Sequence, residues 1–216
     1  MSKHRLGIDL DGVICEFNKA YARLLAEENG VDLLPSGWEG NPEVFHTWNW
    51  DAEFGYGPAV MDRVWQEHII RSSKFWEKLP VLPEAYGVIR QLDWLSKNDV
   101  DVYFLTNRMG KNAKLQTEKF LYNEGMAYPT VILASNKVPI IRSLDLTFFV
   151  DDKLETMQEL VSVANRDRWL SDKHFFLKDA PWNRAGRRGL EVVGSVKEAL
   201  ELVGLWQELG TKTKSS

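Results

Sequence analysis

The stretch Ile8-Asp9-Leu10-Asp11-Gly12-Val13 carries most of the information about the fold. It closes an apolar run over residues 5–10, which predicts a buried strand. Side chains two positions apart on a strand point the same way, so Asp9 and Asp11 emerge together where the strand ends. Two carboxylates held this close repel each other unless they share a cation or a proton. A strand followed by an ordinary Asp-Gly turn is the alternative interpretation.

The rest of the chain alternates between short apolar runs and amphipathic helical patterns. Further strands are predicted at residues 102–105, 131–133, 146–150 and 175–177, with helices at 83–98, 112–124, 154–164 and 196–206. Gly125 is placed to end the second of these helices, and Ser195 and Glu198 have the spacing of a capping box at the start of the last. This alternation predicts an α/β fold, a Rossmann-like parallel sheet of about five strands flanked by helices.

The alternation is interrupted once, after the first strand. Helices are predicted at residues 17–29, ended by Gly30, and at about 58–72, and the loop between them is rich in Gly, Pro and Trp. The second helix is expected to present one face, made of Met61, Val64, Trp65, His68 and Ile69. We predict a small helical cap at residues 17–82, inserted into a core made of residues 1–16 and 83–208. A flexible tail is predicted at 209–216.

Polar residues also follow the other predicted strands. They are Thr106, Asn107 and Arg108 after the second strand, Lys137 after the third, and Asp151 and Asp152 after the fourth. Each has an ordinary structural alternative, such as a helix cap for Thr106 or a surface position for Lys137. Because parallel strands end at one edge of the sheet, we expect these groups to lie together with Asp9, and a purely structural origin for all of them is improbable.

These residues, in this order, resemble the four motifs of the haloacid dehalogenase superfamily of phosphotransferases. The resemblance implies that Asp9 attacks phosphorus and that Asp11 exchanges protons with the leaving group and then with water. It implies a Mg²⁺ site made of the Asp9 carboxylate, the Asp11 backbone carbonyl, Asp151 and Asp152. The phosphate-binding residues are then Thr106, Asn107 and Lys137, and Arg108 is expected to add a phosphate or sugar contact.

A narrower set of blocks is similar to the 5'(3')-deoxyribonucleotidase family. These blocks are residues 9–13, 64–67, 73–80, 82–85 and 150–153. The resemblance implies a (deoxy)nucleoside monophosphate substrate, with Phe75 and Trp76 of the cap stacking on the base and Trp182 at the rim of the site. If residues 75 and 76 are extended, their side chains face opposite ways, so at least one is expected to line the cleft. The chain departs from the family at Asn107 and Arg108, and residues 38–56 do not align with it.

Composition excludes several other classes of protein. The net charge is −4, with 31 acidic and 27 basic residues, so no duplex nucleic acid is expected as a partner. The single cysteine, Cys15, excludes an intrachain disulfide and a cysteine-based zinc site. No apolar run reaches the length of about 18 residues that a membrane span needs, and the first residues lack the apolar stretch of a signal peptide. We expect a cytoplasmic protein without a membrane partner, and a homodimer is compatible with the sequence.

Two alternatives to a nucleotidase stay open. One is a phosphatase of the same superfamily that acts on 3'-phosphate ends of nucleic acid or on another small metabolite phosphate. The other is a non-catalytic phosphate-binding module, against which the complete set of Asp9, Asp11, Lys137 and Asp151 argues. Most of the nine tryptophans are expected to be packing residues, among them Trp65, Trp94 and Trp206 on helices.

Overall fold

The computed structural model describes residues 4–167 and 173–206, so the predicted tail at 209–216 lies outside the described residues. The strands are β1 (Arg5–Ile8), β2 (Asp101–Thr106), β3 (Val131–Leu133), β4 (Phe148–Asp151), β5 (His174–Lys178) and β6 (Glu191–Val193). They form one sheet of six parallel strands in the order β3-β2-β1-β4-β5-β6. The predicted α/β fold with a parallel sheet is confirmed.

Strand β1 lies in the middle of the sheet, where the direction of chain growth reverses. Gly7 is paired with Tyr103 of β2 on one side and with Phe149 of β4 on the other. The chain adds β2 and β3 on the first side and β4, β5 and β6 on the second. In open α/β sheets, ligands bind beyond the carboxyl ends of the strands at such a reversal. The residues that follow β1 therefore lie at the expected ligand site.

Helices cover both faces of the sheet. They are α1 (Phe17–Asn29), α2 (Trp50–Glu53), α3 (Pro58–Arg63), α4 (Val88–Ser96), α5 (Ala113–Asn123), α6 (Val138–Ser143), α7 (Leu154–Asp167) and α8 (Val196–Leu202). Because side chains alternate along a strand, Val150 packs into the hydrophobic core that α4, α5 and α8 cover. Its neighbour Phe149 packs into the opposite core, with Ile141 of α6 and Met157 of α7.

Glycines end two of the helices where the sequence predicts it. Gly30 follows α1 with φ 73°, and Gly125 follows α5 with φ 109°. Ser195 caps α8, since its Oγ accepts a hydrogen bond from the Glu198 backbone N–H at 3.1 Å. Two predicted helices are shorter than expected. The segment at 83–98 is a 3₁₀ turn (Pro83–Ala85) followed by α4, separated by a left-handed Gly87, and α8 ends at Leu202 rather than at residue 206.

The segment between β1 and β2 is helical, but its second helix differs from the prediction. After α3 the chain continues as a π-helix over Val64–Ile70. Hydrogen bonds in a π-helix span five residues, so Val64 and Ile69 are both buried on one side. His68 does not share that side. It is exposed, and its Nε2 lies 3.1 Å from a carboxylate oxygen of Glu28 on α1.

Two hydrogen bonds join the ends of this segment. The Glu16 N–H donates to the Pro80 carbonyl at 2.9 Å, and the Leu82 N–H donates to the Ile14 carbonyl at 2.8 Å. The chain therefore enters and leaves the segment through two adjacent antiparallel stretches. Residues 17–82 are called the inserted segment below.

Strand β6 is absent from the prediction because its sequence carries almost no signal. It is three residues long, and Glu191 and Val192 are exposed, so neither an apolar run nor a long alternation marks it. Over residues 4–167 and 173–206, no helix combines the length and the apolar character that a membrane crossing requires.

Candidate active site

The carboxyl ends of β2, β1 and β4 bring polar residues together at one edge of the sheet. Asp9 directly follows β1, Thr106 is the last residue of β2, and Asp151 is the last residue of β4. Lys137 lies at the residue that precedes α6. These groups come from distant parts of the chain, and they meet because neighbouring parallel strands end side by side.

Asp9, Asp151 and Asp152 form an acidic cluster. One carboxylate oxygen of each residue lies within 4.8 Å of the others, and the residues are only 5%, 0% and 3% exposed. Lys137 Nζ lies 2.9 Å from Asp9 Oδ1 and 2.8 Å from Asp151 Oδ2. Three carboxylates and one ammonium group leave two negative charges without a partner in the cluster. A divalent cation would balance them.

Burial and this excess of negative charge both change the protonation of the cluster. Burial, together with the charges of Asp151 and Asp11, raises the pKa of Asp9 to about 7 against the attraction of Lys137. The pKa of Asp152 is also raised well above its usual range, by burial first and then by Asp9 and Asp151. Burial alone would lower the pKa of Lys137, but its contacts with Asp151 and Asp9 raise it, so the ammonium group stays charged.

The donor set of the acidic cluster fits a hard cation. It offers carboxylate oxygens, which Mg²⁺ and Ca²⁺ prefer, and none of its side chains supplies sulfur or imidazole. A bound cation would also offset the burial and the mutual repulsion that raise the pKa of Asp9 and Asp152. The Asp9, Asp151 and Asp152 carboxylates are thus the residues of this chain that would hold Mg²⁺.

Asp152 is held in place by the loop after β5. Trp182 Nε1 donates to Asp152 Oδ2 at 3.1 Å, and Asn183 Nδ2 donates to the Asp152 backbone carbonyl at 2.8 Å. Gly12 allows the turn after β1 to approach Asp152 closely. A Cβ at this position would lie 2.2 Å from Asp152 Oδ2, and the φ of +81° is one that only glycine adopts easily. Asn183 is fully buried and follows Trp182, which the sequence places at the rim of the site, but the sequence assigns Asn183 no role of its own.

Arg108 occupies a different place from the one the sequence suggested. Its side chain is fully buried and does not line the cavity described below. Arg108 is therefore not placed to contact a bound phosphate or sugar directly. Instead Nη2 donates to Asp11 Oδ1 at 2.8 Å and Nε donates to Asp11 Oδ2 at 3.0 Å. Nη1 donates to Thr117 Oγ1 and Nη2 contacts Cys15 Sγ, both at 3.1 Å. Arg108 therefore binds both carboxylate oxygens of Asp11, and the Asp11 side chain remains 22% exposed.

A cavity of about 620 Å³ lies next to these groups. The predicted residues Asp9, Asp11, Thr106, Asn107, Lys137, Asp152, Trp76 and Trp182 line it. Asp151 does not reach the surface of the cavity and lies behind Asp9 and Lys137. The volume is within the range of about 300–1,000 Å³ that is usual for small-molecule sites.

Of the adjacent pair Phe75 and Trp76, only Trp76 lines the cavity. The two residues lie in a turn and not in an extended stretch, and their rings pack edge to face with centroids 4.8 Å apart. Trp76 Nε1 donates to the Met109 carbonyl at 2.9 Å, which fixes its ring. Phe75 is half-buried behind it, so the sequence-based argument for this pair used the wrong backbone conformation.

Six aromatic residues of the inserted segment line the cavity: Phe17, Tyr21, Trp48, Trp50, Trp65 and Trp76. We call them the aromatic wall. Trp65 packs against the hydrophobic core, as expected, and its half-buried side chain also lines the cavity. Asn18, Asn49 and Asp51 of the same segment also line the cavity, and sequence reasoning missed them. The only available signal was the density of aromatic residues between 38 and 56.

No family model matches the chain, and no curated protein matches it in sequence. Solved structures do match its fold. YfnB of Bacillus subtilis, described as a HAD hydrolase bound to magnesium, is 14% identical with a TM-score of 0.55, over 94% of this chain and 100% of that chain. A Lactobacillus plantarum protein described as a phosphoglycolate phosphatase is also 14% identical, with a TM-score of 0.52, over 95% and 100% of the two chains.

A third match is CbbY from Rhodobacter sphaeroides, a mutant form of which was crystallised in complex with xylulose-(1,5)bisphosphate. It is 14% identical with a TM-score of 0.50, over 90% of this chain and 95% of that chain. At such low identity these likenesses show the fold alone. The chain therefore has the α/β fold of haloacid dehalogenase-like hydrolases, with a buried acidic cluster where its central strands end.

Proposed function

We propose that this protein is a Mg²⁺-dependent phosphatase that hydrolyses (deoxy)nucleoside monophosphates through an aspartyl-phosphate on Asp9. One observation carries the proposal. The Asp9 carboxylate lies in a buried acidic cluster, 2.9 Å from Lys137, and faces a cavity with an aromatic wall. The shared fold with haloacid dehalogenase-like hydrolases supports the same chemistry.

Asp9 is the nucleophile in this proposal. A carboxylate oxygen of Asp9 forms a bond to phosphorus while the bond from phosphorus to the ester oxygen breaks. Mg²⁺, when bound by the acidic cluster, supplies the positive charge that lets an anionic carboxylate approach an anionic phosphate. The Lys137 ammonium and the Thr106 hydroxyl line the cavity beside Asp9 and would bind the oxygens of the transferred phosphoryl group.

Asp11 transfers the protons. It lines the same cavity two residues after Asp9 but belongs to the Arg108 pair and not to the acidic cluster. In the first step it donates a proton to the leaving ester oxygen. In the second step it accepts a proton from water, whose oxygen attacks phosphorus and releases inorganic phosphate from Asp9.

The inserted segment acts as the cap that selects the substrate. Its aromatic wall offers apolar surface on which a nucleobase can stack, chiefly at Trp48, since Tyr21, Trp50 and Trp76 are almost fully buried. Base stacking on one aromatic side chain contributes about 1–3 kcal/mol. A cap that closes over a substrate also removes water from the reaction.

A second candidate substrate is a small phosphorylated acid or sugar phosphate. It is favoured by the similar fold of the Lactobacillus plantarum protein described as a phosphoglycolate phosphatase and by the sugar bisphosphate in the CbbY complex. The aromatic wall favours the nucleotide, because such substrates have no planar ring to stack.

The test is phosphate release with Mg²⁺ and with chelator. The substrates are 5'- and 3'-monophosphates of ribonucleosides and deoxynucleosides, with phosphoglycolate and sugar phosphates for comparison. Asp9→Asn is the inactive variant, and Asp62→Asn, the same change at an exposed position, is the matched control. The proposal is supported if phosphate is released from nucleotides and if this release requires both Mg²⁺ and Asp9. Turnover of other esters with none from any nucleotide would contradict the substrate, and an active Asp9→Asn would contradict the mechanism.

A further inference from the structure

The inserted segment gives the cavity a wall that contains no basic residue. Its ten lining residues are the six of the aromatic wall together with Asn18, Asn49, Asp51 and Met61. Asp51 is the one charged residue in this set. The part of the cavity that the inserted segment contributes is therefore apolar and negative, while the cavity-lining lysines come from the core side of the chain.

The Asp51 carboxylate is held by hydrogen bonds within the inserted segment, and it can accept further hydrogen bonds. The Tyr21 hydroxyl donates to Asp51 Oδ2 at 3.0 Å, and the Ala52 backbone N–H donates to Oδ1 at 2.8 Å. A carboxylate accepts about four hydrogen bonds, so roughly two positions stay available to a ligand. Among the described residues, no lysine or arginine forms an ion pair with Asp51.

Neither of the lysines that line the cavity is paired with Asp51. The ammonium group of Lys137 is bound by Asp9 and Asp151, and Lys153 is an exposed residue that follows the acidic cluster on the core side of the cavity. A second anionic group on a substrate, held near the inserted segment, would thus meet an aromatic surface and an unpaired carboxylate. Burying two like charges together is costly, whereas an N–H group placed against Asp51 gains a charge-assisted hydrogen bond.

We propose that Asp51 is a specificity-determining residue that accepts a hydrogen bond from an N–H donor on the leaving group and rejects leaving groups that carry an anion. The inference rests on the proposed phosphatase activity and narrows its substrate class. It selects phosphomonoesters that end in an amino, imide or ammonium group, and nucleobases provide the first two. It disfavours phosphorylated acids and bisphosphates.

The experiment separates terminal charge from reactivity at phosphorus. Three esters are compared: 6-aminohexyl, 6-hydroxyhexyl and 5-carboxypentyl phosphate, whose end groups lie too far from phosphorus to change the leaving oxygen. We expect kcat/KM to be about tenfold or more higher for the amino ester than for the carboxyl ester, because the two end charges differ in sign. In Asp51→Asn, which keeps the shape of the side chain, this ratio should fall towards one, while Asp62→Asn should keep the wild-type ratio.

The binding affinity of the three esters is a second measurement, and it does not depend on turnover. The three esters are titrated calorimetrically into Asp9→Asn, with and without Asp51→Asn, and Kd should follow the same order. Circular dichroism and thermal unfolding check that the variants are folded, and Asp51→Ala replaces Asp51→Asn if that variant does not fold.

The outcomes distinguish this inference from the proposed function. Charge selectivity without turnover of any nucleotide would contradict the nucleotidase and leave the role of Asp51 supported. Nucleotide turnover with equal kcat/KM for the three esters would contradict the role of Asp51 alone. An unchanged ratio in the folded Asp51 variant, or no binding of any ester, would also overturn it.

Discussion

Arg108 binds both carboxylate oxygens of Asp11, with Nη2 at 2.8 Å from Oδ1 and Nε at 3.0 Å from Oδ2. The guanidinium group is itself packed over the ring of Trp76, at 5.1 Å from the ring centroid. Such a two-point contact fixes the plane of a carboxylate as well as its position. Arg108 therefore orients the residue to which the proposed mechanism assigns both proton transfers.

The first prediction concerns this pair. Arg108→Met should lower kcat/KM by about 10²-fold or more for alkyl phosphate esters, because Asp11 is no longer held where it meets the leaving oxygen. The loss in kcat/KM, which reports the first step and not the hydrolysis of the aspartyl-phosphate, should be much smaller for p-nitrophenyl phosphate, whose leaving group departs without a proton. Steady-state kinetics on the two esters measure the difference. Arg188→Met, a change at an exposed arginine, is the control, and equal losses on both esters would show that Arg108 is only structural.

The second prediction compares two glycines with similar backbone conformations. Gly12 and Gly30 have φ of +81° and +73°, so an alanine at either position should lower the free energy of unfolding by about 1–2 kcal/mol. A Cβ at Gly12 also meets Asp152 Oδ2, whereas a Cβ at Gly30 has no neighbouring atom within 4 Å. Only Gly12→Ala should therefore lose Mg²⁺ affinity, as measured by calorimetry. Similar affinities in the two variants would show that Asp152 does not bind the metal.

The third prediction follows from the raised pKa values in the acidic cluster. The pKa of Asp9 is about 7 in the folded protein, against about 3.9 for an unfolded aspartate. The folded state then binds more protons between these values, so this residue's contribution to stability is lost as pH rises through about 7. Mg²⁺ replaces those protons, and the increase in Tm on adding Mg²⁺ should be larger at pH 8 than at pH 5.5.

Thermal unfolding with Mg²⁺ and with chelator measures this increase. Asp152→Asn should show little Mg²⁺-induced increase in Tm at either pH, because the substitution removes both a metal ligand and a carboxyl group whose pKa is raised. A Mg²⁺-induced increase that is the same at both pH values would contradict a site built on Asp9 and Asp152.

The fourth prediction concerns the aromatic wall. Trp48 is 49% exposed and lies beside Trp182, with ring centroids 5.7 Å apart, so both rings are accessible to a ligand. Trp48→Leu should raise KM for a nucleoside monophosphate by about tenfold, which corresponds to about 1.4 kcal/mol and lies within the range of about 1–3 kcal/mol for stacking of one base. KM for 6-hydroxyhexyl phosphate should stay close to the wild-type value. Trp94→Leu, at a half-buried position that does not line the cavity, is the control. Equal effects on both substrates would argue against base stacking.

The residues at the strand ends were predictable because two local rules determine them. Side chains alternate along a strand, and parallel strands end at one edge of the sheet, so Asp9, Thr106 and Asp151 had to meet once the strands were recognised. Lys137 joined them because it lies four residues after the end of the third predicted strand. No knowledge of distant packing was needed.

The remaining features depend on packing between parts of the chain that are distant in sequence. Arg108 follows Thr106 at a strand end, and nothing local shows that its guanidinium turns to Asp11 rather than into the cavity. Asn183 contacts Asp152 from the segment after β5, and Asp51 contacts Tyr21 from the short helix α2, so both depend on packing that their local sequence does not show. The π-helix at Val64–Ile70 changes which residues share a face, so the side expected from a 3.6-residue period placed His68 incorrectly.

The most direct test is to identify the residue that carries the phosphoryl group. The enzyme is mixed in excess with a nucleoside monophosphate and Mg²⁺, quenched within one turnover, reduced with borohydride, and digested for peptide mass spectrometry. An aspartyl-phosphate is reduced to homoserine, and we predict homoserine at position 9 only, and only when substrate is present. Turnover of the nucleotide with an unmodified Asp9, or with homoserine at another position, would contradict the account.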